Sequence, residues 1–173
     1  DGKTIGITDD TATSVKLLNV LLEKKYNVKA KFERLHSGVN DYSKYDAVLL
    51  IGDEALRYNK TGLNGFELVY DLAKEGYDWQ KLPFVFAVWA MKKLLSDATK
   101  EELKTILSTS LSKSEEQFAS LGELHGKQIN FTADETRDYL AGFNYKLGER
   151  EREAMMKFRE LIANMKKEAE VMK

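Results

Sequence analysis

The sequence predicts an α/β fold, with an α/β front half and an all-helical back half. Three observations predict it. Strand-like and helix-like patterns alternate from Lys3 to Ile51. Tyr45–Ile51 is a near-continuous apolar run, the mark of a strand covered on both faces. From Ser96 onward the apolar residues recur at helical spacing.

The elements follow in order. Lys3–Thr8 (KTIGIT) reads as a short buried strand. Val15, Leu18 and Leu22, with Leu17 and Leu21, form a broad helical face. One of Asp10, Thr11 or Thr13 is its N-cap, because their side-chain oxygens accept orphan backbone N–H groups. The helix ends near Lys24 and Lys25, cations suited to a C-terminal dipole. Val28, Ala30 and Phe32 alternate with Lys29, Lys31 and Glu33, a strand with one solvated face. His36–Asp41 is a polar turn. Strand, helix, strand, linker, strand implies parallel pairing with a right-handed crossover.

Farther on, Phe66–Leu72 reads as a strand and Lys74–Lys81 as a polar surface excursion around Trp79. Pro83–Ala90 (PFVFAVWA) reads as a long apolar strand with proline at its first position. Leu103, Ile106, Leu107 and Leu111 form a helical stripe. Ser114 with Gln117, and Thr132 with Glu135, read as capping boxes. Gly148 punctuates before a last helix carrying Phe158, Leu161, Ile162, Met165, Ala169 and Met172. The domain reading is therefore an α/β lobe over 1–90 and a helical part over 91–173.

Composition narrows the function classes. A net charge of −1 over 173 residues leaves no basic footprint for nucleic acid and no cationic face for a membrane. With no cysteine, disulfides and thiolate metal sites are excluded. No apolar run approaches the roughly 18 residues of a membrane span. His36 and His125 stand alone in polar surroundings, without metal-ligand spacing, and read as surface residues. There is no Gly-rich phosphate loop, nucleophile elbow or zinc motif. The chain enters its first strand straight from Asp1, which reads as a piece of something longer.

Two stretches carry candidate chemistry. Tyr45–Leu56 (YDAVLLIGDEAL) ends a strand at Gly52 and presents Asp53 and Glu54 just beyond it. Ligands of open α/β sheets bind past the carboxyl ends of strands. A carboxylate there can fix a hydroxyl or act as a base, or it can simply cap a helix starting at Glu54. Thr11, Thr13 and Ser14 start the first helix, where free N–H groups and hydroxyls suit a carboxylate or phosphate. The plainer alternative is that they only cap the helix, and Asp9 and Asp10 favour it by occupying the anion position themselves. On the run after Pro83, Phe84, Phe86 and Val88 face one way and Val85, Ala87 and Trp89 the other. Most of these read as core, with Trp89 the best candidate for an exposed wall.

The succession TATSVKLLNVLL, YDAVLLIGDEAL, YDLAKEGYDWQKLPFVFAVWA and YLAGFNYKLGEREREAMMKF resembles the chorismate dehydratase family of the futalosine route to menaquinone. The likeness covers almost the whole chain in order. Thr11 stands where that family usually has serine, which keeps the hydroxyl. The resemblance implies a two-lobed fold like type II periplasmic binding proteins, here mainly the second lobe plus C-terminal helices. It implies dehydration of chorismate to 3-[(1-carboxyvinyl)oxy]benzoate, in the cytoplasm, without metal or organic cofactor. Thr11, Thr13 and Ser14 become binders of a substrate carboxylate. Gly52, Asp53, Phe86 and Trp89 become cleft residues. Asp53 is one candidate for the base, beside a group in the segment expected before Asp1 or a carboxylate of the substrate itself.

Members of that family begin with a further half-lobe before the segment matching Asp1. The expected partners are thus a small chorismate-like anion and either a complementing N-terminal segment or a second copy of the chain. The C-terminal helices are expected to return to the first lobe. The competing reading is a non-catalytic small-anion solute-binding protein on the same fold. The related dihydroxynaphthoate synthase carries LPLPLGGN where this chain has LPFVFAV, and ranks below both.

Overall fold

A computed structural model describes residues 2–8, 11–35 and 41–171. Asp9, Asp10 and the turn from His36 to Asn40 lie outside them, as do Met172 and the side chain of Ala169. The described elements are β1 (Lys3–Thr8), α1 (Ala12–Val20), β2 (Ala30–Leu35), β3 (Ala47–Leu49), α2 (Gly52–Thr61), α3 (Leu72–Gln80), α4 (Asp97–Glu116), α5 (Phe118–His125), α6 (Ala133–Ala141) and α7 (Glu149–Val171). A π-helical turn, Leu21–Lys25, extends α1 to the lysines expected at its end, and a 3₁₀ turn, Gly126–Ile129, follows α5.

The fold is mixed α/β. Its sheet has three parallel strands in the order β2-β1-β3, as the strand–helix–strand opening requires. β1 is central. Gly6 lies opposite Glu33 on one side and Val48 on the other. Register is fixed at the strand starts by Asp46. Its Oδ2 accepts the Thr4 N–H at 2.9 Å, its Oδ1 accepts Lys3 Nζ at 2.7 Å, and its own N–H donates to Thr4 O. The lysine and the backbone N–H hold the Asp46 carboxyl below its usual range.

On the face that Gly6 shares with Val48, Leu35, Tyr42 and Tyr45 form a buried cluster. Val48, Leu50, Tyr58, Leu63 and Phe66 pack against it. The cluster leaves no room at Gly6. An added Cβ would stand 2.7 Å from Leu35 Cδ2 and 3.0 Å from Tyr45 Cδ2.

The chain divides into two compact units, Asp1–Phe86 with Gly148–Lys173, and Ala87–Leu147. The sequence reading groups 91–173 together as one helical part. In the structure α7 packs beside α1, within the first unit. Ala154, Phe158 and Leu161 share a small apolar cavity of about 40 Å³ with Leu17, Val20, Trp79 and Phe84. Phe84 stands edge-on to Phe158 at 4.9 Å. Leu17, Val20 and Leu21 are buried, and each contributes roughly 1.5–3 kcal/mol by leaving water. In the second unit α5 and α6 pack closely, and Thr132 with Glu135 forms the expected capping box.

Several local expectations need correction. Phe66–Leu72 is not a strand: Phe66 makes one bridge to Leu63, and Asp71 caps a helix. Pro83–Ala90 forms no strand either. Both runs have strand-like composition, yet neither has a ladder partner among the described residues, and composition alone does not make a strand. The expected excursion after Lys74 is α3, with Asp71 Oδ1 accepting the N–H groups of Ala73 and Lys74. The box at Ser114 does not form. α4 runs through it, and Ser114 Oγ donates back to Ser110 O at 2.8 Å, leaving Gln117 as the break.

α3 is tied to the end of the first helix by charge. Lys25 Nζ and Tyr26 OH both donate to Glu75 Oε2. These contacts hold the Glu75 carboxyl below its usual 4.5 and raise the Lys25 ammonium.

The packing around two glycines predicts opposite responses to the same substitution. Gly6→Ala overpacks the cluster and should lower stability by about 1–3 kcal/mol. Gly76→Ala, whose Cβ would meet Leu17 Cδ1 at 3.7 Å inside a helix, should be neutral or stabilising by up to about 1 kcal/mol. Urea denaturation of both variants reads the opposite signs. For Glu75, a lowered folded pKa means stability that is present above the usual 4.5 and lost as pH falls through the lower folded value. Glu75→Gln should therefore weaken the fold at neutral pH and flatten its acid limb below that point, measured as thermal midpoints across pH.

Candidate functional site

β1 and β3 run parallel and adjacent, with Ile7 opposite Leu49. The segments leaving them therefore emerge on one edge of the sheet. The first leads to the N-terminus of α1 and the second to that of α2. Chain order reverses between these strands, since β1 continues to β2 on its other side. This is the topological switch point, where open α/β sheets form their ligand crevice.

The two helix starts differ. At α1, Thr11 is the N-cap, with extended backbone, and its Oγ1 accepts the Ser14 N–H at 3.1 Å. Of the three cap candidates it is the one that serves, so the plainer reading of Thr11 holds as structure. Its hydroxyl proton still has donor capacity. Thr13 is half-buried and Ser14 buried in the first turn.

At α2 the cap position is Ile51, which has no side-chain oxygen to offer. Gly52 follows with φ +59, a left-handed conformation that a side chain would strain. The first helical bond is from Ala55 N–H to Ile51 O, leaving the Asp53 and Glu54 N–H groups without an intrahelical acceptor. Asp53 is exposed in this turn and has no hydrogen bond or ion pair to a described residue. It does not cap the helix through its side chain.

Glu54 is held. Tyr42 OH donates to its Oε1 at 2.5 Å, and the Tyr42 ring stands edge-on to Tyr58, 6.2 Å between centroids. Burial, then the Glu54 carboxylate, push the Tyr42 hydroxyl well above its ordinary range. Tyr42 is invisible as a site residue in the sequence. The only signal is an aromatic residue just ahead of a strand, beside a strand end carrying paired carboxylates.

The remaining predicted residues fall in different units. Phe86 lies in the first, half-exposed, with its ring 4.7 Å from Phe84. Trp89 lies in the second and is 86% exposed. His125 is exposed at the end of α5, as expected. A concavity of about 320 Å³ in the second unit is lined by Gly122, Glu123, Lys127, Phe131, Thr132 and Ala133 and holds no predicted site residue. There a Cβ on Gly122 would come within 2.4 Å of Ala133 O, so the feature marks a tight helix seam. Among the described residues, no three His, Cys, Asp or Glu side chains gather as metal ligands. No described helix is long and apolar enough to cross a membrane.

Comparison with known proteins adds two findings. A family model described as menaquinone biosynthesis matches residues 1–164. The protein named chorismate dehydratase from Thermus thermophilus is 29% identical over 177 residues, covering 91% of this chain. The chain spans 62% of that relative's length.

The cap at α1 is directly testable. Thr11→Ala should lower stability by about 0.5–2 kcal/mol, whereas Thr11→Ser should retain nearly all of it, read as the shift in denaturation midpoint.

Proposed function

The chain belongs to the menaquinone biosynthesis family, and from that premise we propose that it serves as a lyase dehydrating chorismate to 3-[(1-carboxyvinyl)oxy]benzoate. The observation that carries the reading is the β1–β3 pairing, which sets Thr11–Ser14 and Gly52–Asp53 on one edge of the sheet. The likeness to the Thermus protein supports a chorismate-like substrate for that edge. On this reading the lobe is the second of a type II periplasmic-binding-protein-like fold, working in the cytoplasm on the futalosine route, without metal or organic cofactor.

Chorismate is a dianion. The hydroxyls of Thr11 and Thr13, with the first-turn N–H groups, receive one carboxylate. Gly52 lets the backbone approach, and Phe86, in the same unit, supplies an apolar wall. The reaction removes a ring proton and the neighbouring ring hydroxyl. The C–H electron pair enters the ring, the C–O bond breaks, and the departing hydroxide leaves as water with the proton the base has taken from the ring. Asp53 is the candidate base for the ring proton, since it is exposed at the switch point and free of described partners. Aromatisation supplies the driving force. The protein's share is orientation, which well-held reactants turn into roughly 7–11 kcal/mol of barrier.

The test is chorismate turnover by the full natural protein, followed by the ultraviolet absorbance of the aromatic product. Asp53→Asn should lower kcat by about 10²–10⁴-fold. Chorismate binding without product in the wild type would replace this reading with that of a non-catalytic small-anion binding protein.

A further inference from the structure

The start of α2 carries two neighbouring carboxylates, Asp53 and Glu54, and the structure treats them differently. We propose that Tyr42 is a positioning residue that fixes the roll of α2, holding Glu54 as structure and leaving Asp53 as the carboxylate that meets the ligand. The inference rests on the lyase reading for what Asp53 does, and on geometry alone for how it is placed.

Tyr42 is 5% exposed, wedged with Leu35 and Tyr45 in the cluster over the sheet. It grips α2 at two points. Its hydroxyl donates to Glu54 Oε1, and its ring meets the Tyr58 ring at an interplanar angle of 88°. Glu54 and Tyr58 are four residues apart, so they lie on one face of the helix, a turn from each other. Two contacts on one face, from one anchored side chain, leave the helix little freedom to rotate about its axis. Each residue advances about 100° around a helix of 3.6 residues per turn. With Glu54 turned toward Tyr42, Asp53 points well away from that grip, and it is exposed. The left-handed Gly52 just before it allows the chain to leave β3 and enter this fixed helix within two residues of Leu50.

The buried hydroxyl also keeps its proton. Burial and the adjacent carboxylate both raise it, so it remains a donor through the neutral range. Glu54 thus has a permanent hydrogen-bond partner, whereas Asp53 has none among the described residues. A base that must give and take a proton is better served by the carboxylate that no buried donor already holds.

The test uses Tyr42→Phe, Glu54→Gln and Asp53→Asn in the full natural protein, with chorismate as substrate. Tyr42→Phe keeps the ring and its contact with Tyr58 while removing the donor. It should lower kcat by about tenfold or more with KM changed by less than about threefold, because substrate still binds but meets a misaligned base. Glu54→Gln keeps an acceptor oxygen for Tyr42 and should retain most of kcat, unlike Asp53→Asn. Hydrogen exchange at the helix-bonded amides of 55–58 should speed up about tenfold in Tyr42→Phe, while exchange in β1 stays at the wild-type rate. Equal losses in Glu54→Gln and Asp53→Asn would overturn the division between the two carboxylates. Unchanged kcat and unchanged exchange in Tyr42→Phe would overturn the positioning role. Should wild type lack turnover, the lyase reading fails, and the exchange measurement alone decides whether Tyr42 holds α2.

Discussion

The central position of β1, with a close-fitting glycine in its middle, is the constraint on which the rest of the first unit depends. β1 bonds to β2 on one side and β3 on the other, so both neighbours take their register from it. Gly6 faces Leu35 and Tyr45 at distances that no side chain would tolerate. A slip of β1 by one residue would bring Ile5 or Ile7 to that face and drive a branched side chain into the cluster. The Asp46 clamp on Lys3 and Thr4 guards against the same slip from the other end of the strands. Because register is fixed, the ends of β1 and β3 finish level, and the helix starts that follow them share an edge.

That edge is built with an asymmetry. At α1 the cap residue Thr11 takes up one N–H, that of Ser14, while α2 begins after an isoleucine that can take up nothing. What α2 lacks in capping it gains in anchorage from Tyr42, through Glu54 and Tyr58. A helix start can remain open toward a ligand only if something else holds it, since a frayed first turn would lose the N–H directions that make it useful. The Tyr42 contacts lie on the helix flank, so they hold the turn without covering its end.

Much of the front of this fold is legible in the sequence because its signals are local. Lys3–Thr8, Val15–Leu22 and Tyr45–Ile51 each carry a period or an apolar run that only one element satisfies, and the parallel order follows from their succession. The Thr132–Glu135 box is legible for the same reason: cap and reply sit three residues apart. Ser114 and Gln117 show the identical spacing and form no box, because a helix already under way offers Ser114 the carbonyl of Ser110 instead. The errors at Phe66–Leu72 and Pro83–Ala90 have another origin. A strand is a property of a pair, and the apolar content of a run says nothing about whether a neighbour lies beside it. Leu68, Val69, Tyr70 and Trp89 are the visible result, strongly apolar and strongly exposed. In the site, Thr11 and Asp53 are legible as residue types next to predicted element ends. Tyr42 is not, because its role depends on a contact with a residue 12 positions farther along the chain.

The modest chemistry at this edge agrees with what the proposed reaction demands. Loss of water from chorismate yields a benzene ring, so the products are strongly favoured and the protein has no energy to supply. What limits such a step is the alignment of the breaking C–H and C–O bonds with a base. Alignment is a matter of rigid placement, not of strongly perturbed groups. A site for it needs carboxylate holders, an apolar wall and one correctly aimed acceptor. It does not need a nucleophile with a paired base, and the sequence carries no motif for one. On that reading Asp53 is left exposed and, among the described residues, without a partner so that it can act. The investment is in the surroundings: a strand register that cannot slip, a glycine that admits a left-handed turn, and a buried tyrosine that fixes the helix from its far side. An aspartate tied into an ion pair would be better anchored but would have surrendered its basicity to the partner. On the proposed reading, holding the helix through its neighbour Glu54 avoids that conflict, because the anchoring group is then separate from the proposed base.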